Sequence, residues 1–153
     1  MTHANVIDIL LVEDLLADGQ LILRALRSKG FGENVLWVRD GAAALDFLLQ
    51  RAAHADHSTA RLLKLVLLDV KLPKVDGIEV LTTMRMTAEL KTIPVVMLTS
   101  SMERRDVARC YAAGANSYVV KPVDFDRLID AVGTTAVYWM QYNFVPDQPA
   151  QLR

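Results

Sequence analysis

Five short apolar runs alternate along the chain with longer segments whose apolar residues recur with the period of a helix. Runs of this kind predict β-strands. A chain in which strands and helices alternate forms a parallel sheet with helices on both faces. The sequence therefore predicts an α/β fold with a five-stranded parallel sheet. The predicted strands are Val6–Val12, Val35–Val38, Leu63–Leu68, Ile93–Leu98 and Ser117–Val120.

Five helices are predicted between and after these strands. Asp40 and Asp124 stand where an aspartate can cap a helix N-terminus. The last helix is expected to turn one apolar stripe toward the core, formed by Phe125, Leu128, Ile129, Val132, Ala136, Trp139 and Met140. The predicted helices are Asp18–Lys29, one that follows Asp40 and carries Ala44, Leu45 and Leu48, then Ile78–Met86, Glu103–Ala113 and Phe125–Tyr142.

The size and charge of the chain exclude several classes of protein. Its 153 residues fit one domain, with 52% hydrophobic and 23% charged residues. With 17 basic and 18 acidic residues, its net charge of −1 argues against nucleic acid or an anionic membrane as the main partner. The single cysteine, Cys110, excludes an internal disulfide and favours a reducing compartment, and its surroundings predict packing in a helix. We expect a cytoplasmic single domain over 1–153, with a core at about 6–136, a tail over 137–153 and no second output module.

Polar side chains follow four of the five predicted strands. Glu13 and Asp14 follow the first strand, Asp69 the third, Thr99 the fourth and Lys121 the fifth. Right-handed crossovers place the carboxyl ends of parallel strands at one edge of the sheet, which is where such folds bind ligands. We therefore expect these five side chains to lie together.

The chemistry of this set points to a phosphoryl group. Carboxylates held close together repel one another, and a divalent cation such as Mg²⁺ relieves that repulsion. The Lys121 ammonium and the Thr99 hydroxyl can bind anionic oxygens, and one carboxylate remains free to attack phosphorus. At each single position a purely structural role is the alternative, because an aspartate after a strand is often only a helix cap.

The same residues lie in segments that resemble the receiver domains of two-component response regulators. The resemblance extends from Val6 to Ala136, and each segment matches in residue type, order and spacing. It implies a flavodoxin-like (βα)5 fold and a signalling role rather than a dedicated enzymatic one. The matching segments are Ile9–Asp14, Leu67–Pro73, Asp76–Gly77, Met97–Ser100 and Tyr118–Pro122.

The resemblance also implies roles for the acidic residues. Asp69 is the expected phospho-acceptor, and the donor is a phosphohistidine on a partner histidine kinase. Asp14 and Asp69 are expected to bind Mg²⁺ directly, together with the backbone carbonyl of Lys71. Glu13 is expected to act through a metal-bound water.

Three further residues complete the implied site. Thr99 and Lys121 would contact the phosphoryl oxygens, and Thr99 would rotate inward once the group is in place. Tyr118 is the expected aromatic partner in that switch, although it can also be read as an ordinary half-buried strand residue. The Lys121–Pro122 peptide bond is expected to be cis, as is usual in the family.

The C-terminal segment departs from most receivers because its aromatic residues continue beyond the last helix. We predict an interface, and the alternative is that the tail folds back onto the domain. Together with the loop Arg51–Lys64, this ending resembles the single-domain regulators paired with phytochrome-type histidine kinases, which favours a homodimer and a bacteriophytochrome as kinase. The predicted interface residues are Tyr138, Trp139, Tyr142 and Phe144.

Three other functions compete with that of a phospho-accepting receiver. A hydrolase that forms an aspartyl-phosphate usually carries a second acid two residues after the nucleophile to protonate the leaving group, and it is disfavoured because this chain has Lys71 there. A flavodoxin-like cofactor binder is disfavoured because Glu13 and Asp14 would repel the phosphate of FMN. A receiver-like adaptor that works without phosphorylation stays open as an alternative.

Overall fold

The computed structural model of the chain describes residues 6–54 and 63–145. Parts of the predicted loop Arg51–Lys64 and of the tail 137–153 lie outside the described residues. A short 3₁₀ helix, Gly32–Asn34, precedes β2, and a π-helical turn, Tyr138–Tyr142, follows α5. The main elements are β1 Ile9–Val12, α1 Leu16–Ser28, β2 Val35–Val38, α2 Gly41–Ala53, β3 Leu65–Leu68, α3 Gly77–Met86, β4 Val95–Thr99, α4 Arg104–Ala112, β5 Ser117–Val120 and α5 Phe125–Val137.

The five strands form one parallel sheet in the order β2-β1-β3-β4-β5. Val12 of β1 pairs with Val38 of β2 on one side and with Leu68 of β3 on the other. All residues of β1, β3 and β4 are buried, whereas the edge strands β2 and β5 are half-buried. The predicted α/β fold with a five-stranded parallel sheet is confirmed.

Each face of the sheet packs against its own group of helices. On β1, Leu10 and Val12 enter the apolar cluster formed with α2, α3 and α4. Ile9 and Leu11 point to the other face and enter the cluster formed with α1 and α5. Because side chains alternate along a strand, four consecutive apolar residues are needed to fill both layers. The continuous apolar runs in the sequence are therefore explained by burial on both faces.

The helices are short, from 9 to 13 residues, and aspartates begin several of them. Asp40 accepts a hydrogen bond from the Ala43 amide at 2.7 Å, and Asp124 accepts one from the Arg127 amide at 3.0 Å. Both predicted caps are confirmed. None of the helices in the described part of the chain has the length and apolar character that crossing a bilayer requires.

The last helix differs from its prediction at both ends. Phe125 is 67% exposed because it is the first residue of α5 and stands before the part of the helix that packs on the sheet. Its place in the core stripe was therefore predicted wrongly, while Leu128, Val132 and Ala136 are buried as expected. The helix is not α-helical as far as Tyr142, since the α-helix ends at Val137 and a π-helical turn follows.

Candidate functional site

Three carboxylates meet at the carboxyl edge of the sheet. Glu13 and Asp14 directly follow β1, and Asp69 directly follows β3, which is the neighbouring strand. One carboxylate oxygen from each residue lies within 4.8 Å of the others. Glu13 and Asp69 are buried and Asp14 is half-buried. The predicted meeting of these three side chains is thus present in the structure.

Lys121 joins the carboxylates from the far side of the sheet. It is 7% exposed, and its backbone amide donates a hydrogen bond to the Thr99 carbonyl at 2.7 Å. Its Nζ donates to Glu13 Oε2 at 2.5 Å and to Asp69 Oδ2 at 3.0 Å. A third hydrogen bond of 3.0 Å goes to Asp18 Oδ2. All three donors of the ammonium therefore have carboxylate acceptors.

The electrostatics of the cluster leave an excess of negative charge. Burial alone would lower the pKa of Lys121, but the hydrogen bond to Glu13 and the charges of Asp69 and Glu13 raise it, so the ammonium stays charged. Burial raises the pKa of Glu13 to about 7, although hydrogen bonds from Lys121 and the Leu15 amide oppose that rise. One ammonium faces four carboxylates here, those of Glu13, Asp14, Asp18 and Asp69. The remaining negative charge of these carboxylates would therefore stabilise a cation bound in addition to the Lys121 ammonium.

The donor set fits a hard divalent cation. Its side-chain ligands are all carboxylate oxygens, which Mg²⁺ and Mn²⁺ prefer over nitrogen and sulfur. A cleft of about 450 Å³ opens beside them, lined by Asp14, Asp69, Lys71 and Thr99 together with residues 100–103. The cleft offers room for water molecules or an anion next to such a cation. The chemistry of the site thus agrees with the metal that the resemblance implies.

A close backbone approach holds the loop that follows Asp69. The Gly77 amide donates to the Val70 carbonyl at 2.8 Å. A Cβ atom at Gly77 would lie 1.9 Å from the Asp69 carbonyl oxygen, which no side chain tolerates. Only glycine lets α3 begin so near the end of β3. This contact keeps Lys71, within the loop, at the border of the cleft.

Thr99 and Tyr118 are both tied to the loop after β4. Thr99 is 2% exposed, and its Oγ1 accepts a hydrogen bond from the Ser101 amide at 3.3 Å. The half-buried Tyr118 donates its hydroxyl proton to the Ser101 carbonyl at 2.9 Å. Ser101 also donates its own hydroxyl to Asp106 at 2.6 Å. The two residues expected to form the switch are therefore linked through one serine.

The expected cis bond before Pro122 is absent, because no peptide bond between described residues is cis. This prediction was wrong. The trans form is the intrinsically favoured one, by about 0.5–1 kcal/mol for a bond before proline. Lys121 reaches its three carboxylates from the trans form, since β5 already ends at the same edge of the sheet as β1 and β3.

Asp18 is the site residue that sequence reasoning missed. The sequence predicts it only as the start of a helix, yet its carboxylate accepts a hydrogen bond from Lys121. No spacing rule indicates this contact, because Asp18 lies in the first turn of α1 whereas Asp14 precedes the helix.

The C-terminal aromatic residues fall into two groups. Tyr138, Tyr142 and Phe144 are 52%, 71% and 95% exposed. Trp139 is half-buried and packs against the apolar cluster that α1 and α5 share. Of the four predicted interface residues, three therefore present most of their surface to solvent, while Trp139 covers its own domain.

The chain belongs to the family of response regulator receiver domains, whose sequence model matches residues 9–133. Members of this family accept a phosphoryl group in two-component signalling with histidine kinases, and this chain is a phospho-accepting receiver of that kind. Receiver regulators of this family are in general signalling proteins rather than enzymes. The family thus accounts for both the fold and the acidic edge of the sheet.

Individual relatives of the chain are similar over nearly their whole length. The chain is 43% identical to the probable methanogenesis regulatory protein FilR2 of Methanothrix harundinacea over 90% of its own length and 86% of that protein. It is 36% identical to the response regulator Rcp1 of Synechocystis, covering 90% and 92% of the two chains. The Mn²⁺-bound structure of Rcp1 superposes with a TM-score of 0.78, covering 90% of this chain and 97% of that chain. The phosphorylated cyanobacterial phytochrome response regulator RcpA superposes with a TM-score of 0.81 at 35% identity, covering 92% and 99%.

Proposed function

We propose that Asp69 is the residue that accepts the phosphoryl group, and that the donor is a phosphohistidine of a histidine kinase. The observation that supports this most directly is the ion pair of Lys121 with Asp69, whose side chain also borders an open cleft. Asp69 is the carboxylate that follows the central strand β3, so it lies between the acidic pair and Lys121. It is therefore surrounded by the groups that a phosphoryl transfer requires.

In the proposed reaction, a carboxylate oxygen of Asp69 attacks phosphorus and forms an O–P bond. The P–N bond of the phosphohistidine breaks, and its electron pair leaves with the imidazole nitrogen. Lys121 stabilises the charge on the phosphoryl oxygens because its ammonium already lies 3.0 Å from Asp69 Oδ2. Thr99 supplies a hydroxyl donor at the end of the next strand.

Mg²⁺ is the proposed cofactor. Asp14 and Asp69 would hold it directly with the backbone carbonyl of Lys71, and Glu13 would act through a bound water. When bound, the ion supplies positive charge that offsets the charge of the phosphoryl oxygens. The excess of carboxylates over ammonium groups in this cluster supports the assignment. The Mn²⁺-bound form of the related Rcp1 is consistent with it.

We also propose a phytochrome-type histidine kinase as the partner and the cytoplasm as the compartment. The partner assignment is supported by the likeness to RcpA, a phytochrome response regulator. A dedicated hydrolase is disfavoured because Lys71, which stands where such an enzyme needs a second acid, borders the cleft. Phosphotransfer to this chain should be faster from a phytochrome kinase than from an unrelated histidine kinase, and equal rates would contradict this partner.

Thr99 and Tyr118 form the proposed conformational switch. An inward movement of Thr99 toward a phosphoryl group would take away the acceptor of the Ser101 amide. Because the Tyr118 hydroxyl binds the carbonyl of the same serine, the tyrosine would respond to that movement.

The phospho-accepting role is tested by intact mass after incubation with Mg²⁺ and a small-molecule acyl phosphate. We expect a gain of one phosphoryl group, because Asp69, among the described carboxylates that pair with Lys121, is the one that borders the cleft. Asp69→Asn should abolish the gain, and Asp126→Asn, at an exposed position on α5, should keep it. Absence of any gain in the unsubstituted chain would refute the proposal.

The second proposal is a homodimer formed through Tyr138, Tyr142 and Phe144. These side chains are largely exposed and neighbour one another along the chain, and exposed aromatic clusters are typical of interfaces. Replacing Tyr142 and Phe144 by serine should lower the sedimentation coefficient from that of a dimer to that of a monomer. The matched control replaces Met86 and Leu49, two exposed apolar residues on other helices, by serine. A monomeric full chain at high concentration would rule out the dimer.

A further inference from the structure

Two side chains at the end of the edge strand β2 hold the backbone of the acidic pair. The Trp37 indole nitrogen donates a hydrogen bond to the Glu13 carbonyl oxygen at 2.9 Å. The Arg39 guanidinium donates two to the Asp14 carbonyl oxygen, from Nη2 at 2.7 Å and from Nε at 3.3 Å. Between them, the Val38 carbonyl accepts the Glu13 amide at 3.1 Å. Three consecutive residues thus hold the segment from which both carboxylates extend.

These two side chains also fix each other. The Arg39 guanidinium lies over the Trp37 ring, 5.4 Å from its centroid, which is a favourable cation–π distance. The indole also packs against α1 at Gly19, where a Cβ atom would lie 2.0 Å from the ring. The indole therefore occupies space that only glycine leaves open. Neither donor is free to turn away from its carbonyl without losing a second contact.

We propose that Trp37 and Arg39 are positioning residues for divalent-cation binding. They touch neither the cation nor the phosphoryl group; they act through the backbone of Glu13 and Asp14. When carboxylates are already held in place, binding a cation does not cost the free energy of ordering them. Residues that hold the metal ligands in position therefore raise the affinity for the metal. The inference rests on the proposed function in one respect, namely that these two acids serve the metal.

The alternative is that the contacts serve stability alone. Loss of the hydrogen bonds would then lower the free energy of unfolding and leave the metal dissociation constant unchanged. Trp37→Phe separates the two cases, because phenylalanine keeps an apolar aromatic side chain at this position and removes the N–H donor. Arg39→Lys keeps the positive charge near the site and removes the two-pronged donor.

The experiment is a calorimetric titration of the full chain with Mg²⁺ alone, and then with Mn²⁺ alone, without phosphodonor. Trp37→Phe should weaken the affinity about tenfold, the lower end of the effect of residues behind a metal ligand. Arg39→Lys should weaken it in the same direction. The matched controls are Trp139→Phe, at the tryptophan that packs against the apolar cluster shared by α1 and α5, and Arg24→Lys, at an exposed position on α1. Both controls should keep the dissociation constant of the unsubstituted chain.

Fluorescence supplies a second readout, because the chain has only two tryptophans. In Trp139→Phe, the remaining Trp37 should change its emission as Mg²⁺ is added, since its indole is bonded to the acidic pair. In Trp37→Phe, the remaining Trp139 should not respond. A response that follows Trp139 instead would contradict the placement of Trp37.

An affinity change of less than about twofold in both Trp37→Phe and Arg39→Lys would overturn the inference. If Trp37→Phe fails to fold, Arg39→Lys decides the question, because Arg39 is exposed and its loss leaves the core intact. A chain that binds Mg²⁺ with the expected pattern but takes no phosphoryl group would refute the proposed function and leave this inference standing. A chain that binds neither metal would overturn the inference.

Discussion

Lys121 shows how far residue-level reasoning reaches. Its place at a strand end, and that of Glu13 and Asp69, could be predicted because parallel strands share one carboxyl edge. Its bond to Asp18 could not, because that contact depends on how the first turn of α1 sits against a strand 103 residues away. The sequence pattern therefore predicts which residues follow the strands and lie together at the edge of the sheet. Contacts made by the side chains of helices become known only from the packed structure.

Cys110 gives a prediction at the residue scale. Its side chain is fully buried, and burial, followed by the charge of Asp106, raises the pKa of the thiol to about 11. At about pH 8 only about one molecule in a thousand would then carry the reactive thiolate. We expect a disulfide reagent to leave the native chain unmodified and to react with one thiol per chain in denaturant. Fast reaction of the folded protein would show that Cys110 is accessible.

At the level of elements, the type and order of the strands and helices could be predicted from periodicity. The residues at which the strands begin depend on the neighbouring strand with which each one pairs. The first strand was predicted from Val6 but begins at Ile9, and the third was predicted from Leu63 but begins at Leu65. Both strands begin later than predicted because Ile9 and Leu65 are the first residues that pair between them.

The π-helical turn after α5 could not be predicted from the sequence. Over five residues, an apolar pattern does not distinguish an α-helix from the wider turn that the Asn143 amide closes on the Tyr138 carbonyl.

Asp76 allows a test of how α3 begins. Its Oδ1 accepts hydrogen bonds from the Ile78 amide at 2.9 Å and the Glu79 amide at 3.0 Å. Asp76→Ala removes this cap and should lower the free energy of unfolding by about 1 kcal/mol. Asp76→Asn should restore most of that loss, because asparagine caps a helix equally well. Urea denaturation of the three proteins measures both, and an asparagine variant as unstable as the alanine variant would contradict the capping role.

Across the sheet, burial and strand pairing decrease from the centre to the edges. β1, β3 and β4 each pair on both sides and are buried, whereas β2 pairs only with β1 and β5 only with β4. The two edge strands nevertheless carry Trp37 and Tyr118, which bind the loops of the site. The proposed acceptor Asp69 therefore follows one of the strands that are paired on both sides, while Trp37 and Tyr118 lie on strands paired on one side only.

Hydrogen exchange of the native chain should follow this gradient. Amides of Leu65–Leu68 and Val95–Thr99 should exchange most slowly, through opening of the whole domain, because both strands are buried and paired on each side. Amides of Val35–Val38 and Ser117–Val120 should exchange faster through local opening of an edge. Mass spectrometry of peptides after timed exchange measures the difference. Equal protection of edge and central strands would contradict the gradient.

The hydrogen bond between Lys121 and Glu13 joins residues 108 positions apart. A ribosome releases the chain from its N-terminus, so β1 to β4, with all four acids of the cluster, emerge before the lysine does. Until then the nascent domain carries uncompensated negative charge at the edge of its unfinished sheet. When β5 pairs with β4, the segment between Glu13 and Lys121 is closed into a loop. The Lys121 ammonium then lies beside the carboxylates and balances part of their charge. Biosynthesis thus completes the site in the same step as the sheet, because a chain that has not yet added β5 lacks the ammonium that pairs with Glu13 and Asp69.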